Sequence, residues 1–172
     1  MKRSIVITLL LVSFSLGFGQ HLTYSSFIKM TKIQEWGQLS DALGEYGYEF
    51  LGSDKNSNGG IEARQAVWGK NCKYDFSSGR YSFKRGVEYS SFVVMDYGED
   101  KSYSYYFPNK SSYKTFITTA KKNGFKFLNE NLSDNYIITF YQRYNKQNSC
   151  TEKLVVMETS DGSYQVTMSR YK

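Results

Sequence analysis

The chain repeats itself, and that limits what it can fold into more than any other feature. Trp36, Leu39, Leu43, Gly47, Tyr48, Phe50 and Leu51 recur 77 residues later as Tyr113, Phe116, Ala120, Gly124, Phe125, Phe127 and Leu128. Val93-Val94-Met95-Asp96 recurs 62 residues later as Val155-Val156-Met157-Glu158, and Ser102-Tyr103 is matched by Ser163-Tyr164. The matches keep their order, as expected for a tandem duplication with about 15 extra residues in the first copy. Units this small bury little core alone, so the copies are expected to share a sheet or pack face to face.

The repeated residues make one apolar helix stripe per copy: Trp36, Leu39, Leu43 and Tyr46 in the first, Tyr113, Phe116, Ile117 and Ala120 in the second. Ser111 or Ser112 is suited to cap the second helix. Gly47 and Gly124 stand where a helix stop favours positive φ. An aromatic alternation follows each Gly at once, Tyr48 to Leu51 and Phe125 to Leu128, and reads as a strand leaving the helix. The remaining strands are expected over Ala63 to Lys70, Glu88 to Tyr97 and Lys101 to Phe107, and over Tyr136 to Tyr144, Lys153 to Thr159 and Ser163 to Arg170. Lys73 to Phe83, turning at Ser77-Ser78-Gly79, makes an additional hairpin in the first copy. The expected fold is α+β, a tandem duplication of one helix followed by a four-stranded antiparallel sheet. Its copies span residues 20–108 and 109–172, joined at Pro108-Asn109-Lys110.

Residues 1–19 have the layout of a secretory signal: Lys2 and Arg3, an apolar run from Ile5 to Val12, then Gly17-Phe18-Gly19 before a cut near Gln20. No later stretch reaches the ~18 apolar residues of a membrane span. A secreted or periplasmic location follows. Without Lys2 and Arg3 the chain carries 20 basic and 16 acidic residues, +4. That excess is too small for nucleic-acid binding, and no long basic run is present.

His21 is the sole histidine of 172 residues. Triads, His–metal sites and imidazole bases therefore lack their central residue, and no metal or cofactor is expected. The Asp54 to Gly60 stretch lacks the acidic spacing of a calcium loop and reads as a flexible loop. Carboxylates are the only general acids in supply, with Asp96 and Glu158 at matching strand ends, so a carboxylate-dependent hydrolase is the catalytic alternative. Cys72 and Cys150 are the only cysteines, one per copy just after the second strand. In an oxidising compartment they are expected to pair and tie the copies together.

The 16 Tyr, 12 Phe and 2 Trp exceed what a small core needs. If Val67 and Phe140 face the helices, then Trp68, Lys70, Tyr106, Tyr141 and Arg143 point to the open sheet face. Tyr and Trp flanked by cations are rigid anchors for a partner.

This plan of two tandem helix-plus-sheet units resembles the β-lactamase inhibitory protein family, and the resemblance covers nearly all of the chain after residue 19 as architecture. It implies a concave, aromatic-rich surface that engages an enzyme. That family closes a disulfide inside each copy, whereas one Cys per copy stands here. The expected function is a non-enzymatic binding module for an extracellular or envelope protein, with a glycan or cell-wall partner as the rival.

Overall fold

The computed structural model describes residues 21–58, 61–83, 86–98 and 100–171; the signal segment 1–19 lies outside them. The fold is α+β: three helices and one eight-stranded antiparallel sheet, plus a separate hairpin. Helix α1 spans Tyr24–Met30, α2 Trp36–Gly44 and α3 Lys110–Lys122. Strands β1 (Glu49–Asn58), β2 (Ile61–Lys70), β5 (Ser90–Asp96) and β6 (Lys101–Phe107) make one half of the sheet. Strands β7 (Lys126–Leu132), β8 (Tyr136–Asn145), β9 (Cys150–Thr159) and β10 (Tyr164–Tyr171) make the other. Their order is β1-β2-β5-β6-β10-β9-β8-β7, so β6 and β10 join the halves edge to edge. Strands β3 (Cys72–Asp75) and β4 (Arg80–Phe83) form the hairpin. No helix among the described residues is long and apolar enough to cross a membrane.

The helix ends follow the sequence closely. Gly47 (φ +78°) and Gly124 (φ +90°) both occupy the left-handed region, and the next residue in each case, Tyr48 or Phe125, returns its N–H to the helix at Leu43 or Ala120. Glycine is needed there because a Cβ penalises that conformation. One detail differs: the α3 cap is Asn109, whose Oδ1 accepts from Ser112 N at 2.9 Å, in place of Ser111 or Ser112. The supposed loop at Asp54 is also sheet, since β1 pairs with β2 from Glu49↔Gly69 as far as Asn58↔Ile61.

All three helices lie on one face, termed inner here. Leu39 and Leu43 of α2 are buried, and the Trp68 indole donates to Ser40 Oγ of α2 at 2.8 Å. Phe116 and Ala120 of α3 are buried with Phe107 and Val166 in the same core. Helix α1 fills the middle. Its Phe27 ring meets Phe92, Tyr105 and Phe116 within 6.4 Å, and Met30 is buried beside it. This helix has no signature in the repeat and was not anticipated. Seven residues are too few to display a period convincingly, and its burial comes from tertiary packing alone.

Candidate functional site

The proposed anchor residues do not share an open face. Trp68 is fully buried and Tyr141 nearly so, both on the inner face against the helices. Lys70 and Arg143 point the same way. Lys70 Nζ donates to Tyr46 O at 2.8 Å and lies 6.0 Å from the Tyr48 ring centre. Arg143 Nη1 donates to Asn123 O at 3.0 Å, and its guanidinium lies 4.6 Å from the Phe125 ring centre. Each cation thus satisfies a carbonyl at a helix C-terminus and stacks on the aromatic that follows the glycine. The assumed facing was off by one residue, and in a strand that exchanges the two faces completely. Val67 and Phe140 are the outward residues. Val67 gave a false cue because it is fully buried, although it faces away from the helices.

The hairpin is what buries Val67. It lies across the outer face of the first half, with Gln65 Nε2 donating to the Tyr74 hydroxyl at 3.3 Å and the Tyr81 ring 5.7 Å from Tyr106. Tyr106, the one proposed anchor that does face outward, is half-buried beneath it. Two glycines let the hairpin approach. A Cβ on Gly52 would stand 2.8 Å from the Phe76 ring, and one on Gly69 would stand 2.7 Å from Cys72 Sγ. Their neighbours in register on the other half are Asn129 and Gln142, so no comparable seat exists there.

Cys72 and Cys150 are free thiols, contrary to the expected disulfide. Cys72 sits against Gly69 of β2, whereas Cys150 begins β9, four strand intervals away. At about 4.8 Å per interval this is roughly 19 Å, far beyond the ~7 Å limit for a disulfide. Burial pushes the Cys72 thiol up to about 11. Asp96 and Glu158 are likewise apart, toward opposite ends of the inner face, and each holds a lysine: Lys101 at 3.1 Å and Lys110 at 2.9 Å.

The outer face of the second half has no cover among the described residues. Ile138 and Phe140 of β8 pair with Met157 and Val155 of β9 there, and all four side chains are half-exposed. Gln165 and Thr167 of β10 continue the surface inward, while Lys153, Gln142 and Tyr144 rim it. Alternation assigns Lys126 and Lys153 to this face and turns Glu130, Glu152 and Glu158 to the other. Its strands therefore present cations and no carboxylate. The sequence supports the same asymmetry, with ten basic and five acidic residues over 109–172 against ten and eleven over 20–108. An apolar centre of this kind with a polar rim is the composition of a protein contact surface. The cue in the sequence was the hairpin itself, which occurs once and can cover only one half.

No family model matches the chain, and comparison with curated proteins and with solved structures finds no match.

Proposed function

We propose that this chain is a secreted or periplasmic, non-enzymatic binding module that holds an acidic protein surface on the bare half of its outer sheet face. One observation carries the reading: the hairpin covers Val67 and Val93 in the first half, while Ile138, Phe140, Val155 and Met157 have no counterpart above them among the described residues. Such a patch is stabilised by a partner that removes it from water, at roughly 25 cal/mol per Å² of apolar surface. Lys126 and Lys153 at its margin select a partner of opposite charge and speed encounter. An extracellular enzyme, the partner class implied by the resemblance to the β-lactamase inhibitory family, meets that description.

The tandem duplication belongs to the same proposal. Sheet order supports it, because the strands of the first half read outward from the seam as β6, β5, β2, β1 and those of the second as β10, β9, β8, β7. Both β1 and β7 shift register at the second residue after their first aromatic pair partner, between Phe50 and Gly52 and between Phe127 and Asn129. The equal service of Lys70 and Arg143 at the helix ends is further support.

The test is affinity capture from culture supernatant and periplasmic extract, using wild type and a Phe140→Gln/Val155→Thr double variant of unchanged melting temperature. Wild type should retain acidic proteins that the variant does not. About 0.5 M salt, which shortens the Debye length to a few ångströms, should weaken that retention. The same proteins on both baits would overturn the assignment of the surface.

A further inference from the structure

We propose that a cleft at the sheet end, formed by Tyr97, the start of β6 and the end of β10, binds a neutral oligosaccharide. Asp96 ties the end of β5 to the start of β6, accepting from Gly98 N at 3.0 Å and pairing with Lys101 Nζ at 3.1 Å. Tyr97 N then donates to Asp100 O at 2.8 Å, which carries the β5–β6 register one step past Asp96↔Lys101. On the other side of β6, the ladder ends at Ser102↔Ser169, and just past that pair Asp100 and Tyr171 line one cleft. Tyr97, Asp100 and Tyr171 thus form a row on the outer face, above a floor made by Ser102 and Ser169.

Both tyrosines are open to solvent, at 42% and 44% exposure. Their strands are two intervals apart, so the rings are spaced by about 10 Å, room for a flat ring between them. The Asp100 carboxylate is exposed and has no hydrogen-bond or ion-pair partner among the described residues. The outer part of the cleft measures about 290 Å³. It shares Asp100, Lys101, Arg170 and Tyr171 with a cavity of about 880 Å³ that continues around the sheet end to Gln34 and Asn148. That cavity falls within the ordinary range of ligand sites.

The chemistry of the lining selects the ligand. Lys101 is paired with Asp96, and Arg170 shares Glu152 with Arg143, so the cations of the lining are held by carboxylates while Asp100 has no such partner among the described residues. An anionic ligand meets the Asp100 carboxylate. A cationic ligand meets Lys153, whose Nζ already lies 4.7 Å from the Tyr171 ring centre. An apolar ligand would strip water from Asp100, Gln34 and Asn148 and return no hydrogen bonds. A sugar ring satisfies every group present. Its C–H face lies against a tyrosine ring, and its hydroxyls give and accept hydrogen bonds with a carboxylate and amides. The cleft meets the Phe140 surface only at Lys153 and does not rest on the role proposed for it.

Isothermal titration calorimetry with maltohexaose, cellohexaose, xylohexaose and chitohexaose tests the proposal, with a heparin hexasaccharide and choline as charged comparators. At least one neutral hexasaccharide should bind with Kd of about 1 mM or tighter. Tyr97→Ala, Tyr171→Ala and Asp100→Ala should each weaken it by about tenfold or more, with the melting temperature held, since all three side chains are exposed. The Phe140→Gln/Val155→Thr variant should bind it as wild type does. No binding by the four neutral sugars up to about 10 mM would overturn the proposal. So would tighter binding of heparin or choline, or affinity unchanged in all three alanine variants.

Discussion

Glu152 is fully buried on β9, and its two oxygens receive Arg143 Nε at 2.6 Å, Arg170 Nε at 3.1 Å and Asn145 Nδ2 at 3.2 Å. Burial alone would raise its carboxyl, but those three donors outweigh it and hold the group below the ordinary glutamate value. A carboxyl depressed in the folded state contributes stability above the unfolded value of about 4.3, and that contribution is lost as pH falls through the folded value. Glu152→Gln should therefore flatten the acid limb of a stability-versus-pH curve. At neutral pH it should cost about 3 kcal/mol in urea unfolding, the low end for a broken buried pair because both arginines keep some access to water. A steep acid limb in the variant would assign the acid sensitivity elsewhere. Gly69 tests steric fit in the same way. Gly69→Ala forces Leu51 and Cys72 aside and should lose about 1–3 kcal/mol by urea unfolding, with the change greatest for probes on the hairpin. Thiol titration in denaturant should find two free groups per chain. In the native protein, alkylation of Cys72 should be slow at pH 7, because a thiol raised to about 11 has almost no thiolate there.

At the scale of elements, the hairpin decides which surface is core and which is available. Replacing Cys72–Phe83 by a short Gly/Ser link should bare Val67 and Val93, leave most of the far-ultraviolet spectrum intact and raise binding of a hydrophobic dye. An unchanged dye signal would mean the hairpin contributes little cover. The elements legible in the sequence were those with a strong local signal: α2, α3, their glycine stops and the hairpin turns. Face assignment was not legible in the first half because Val67 and Trp68 are neighbours and both fully buried, so alternation carries no sign. Helix α1 was missed because its reason for existing lies in Phe92, Tyr105 and Phe116, far away in sequence. The Ser102-Tyr103 match to Ser163-Tyr164 is also out of step with the strands. Ser104 and Thr167 are the residues that face each other across the seam, their hydroxyls 2.8 Å apart. Of the candidate site, the aromatic content was visible beforehand but its distribution was not. Tyr97 and Tyr171 gain meaning only from the cleft they line with Asp100.

At the scale of the molecule, the halves depend on each other through α1. Tyr24 accepts a hydrogen bond from Arg143 at 2.9 Å, and its ring meets Phe116 at 5.4 Å, so an element from the start of the chain closes the core of the second half. Residues 109–172 produced alone should therefore be largely unfolded by circular dichroism, and adding residues 20–108 should restore the β signal. A well-folded isolated second half would show that α1 is dispensable to it. The Arg170–Thr31 bond, 2.7 Å long, joins residues 139 apart in the chain. At ribosomal speeds that interval takes on the order of ten seconds, and until it has passed the greasy side of α1 has only part of its final packing. Among the described strands, β10 comes latest in the chain and is the one that completes the seam. Nascent chains consequently complete this core only once residue 170 has emerged, and during the wait Phe27 and Met30 are natural targets for a chaperone.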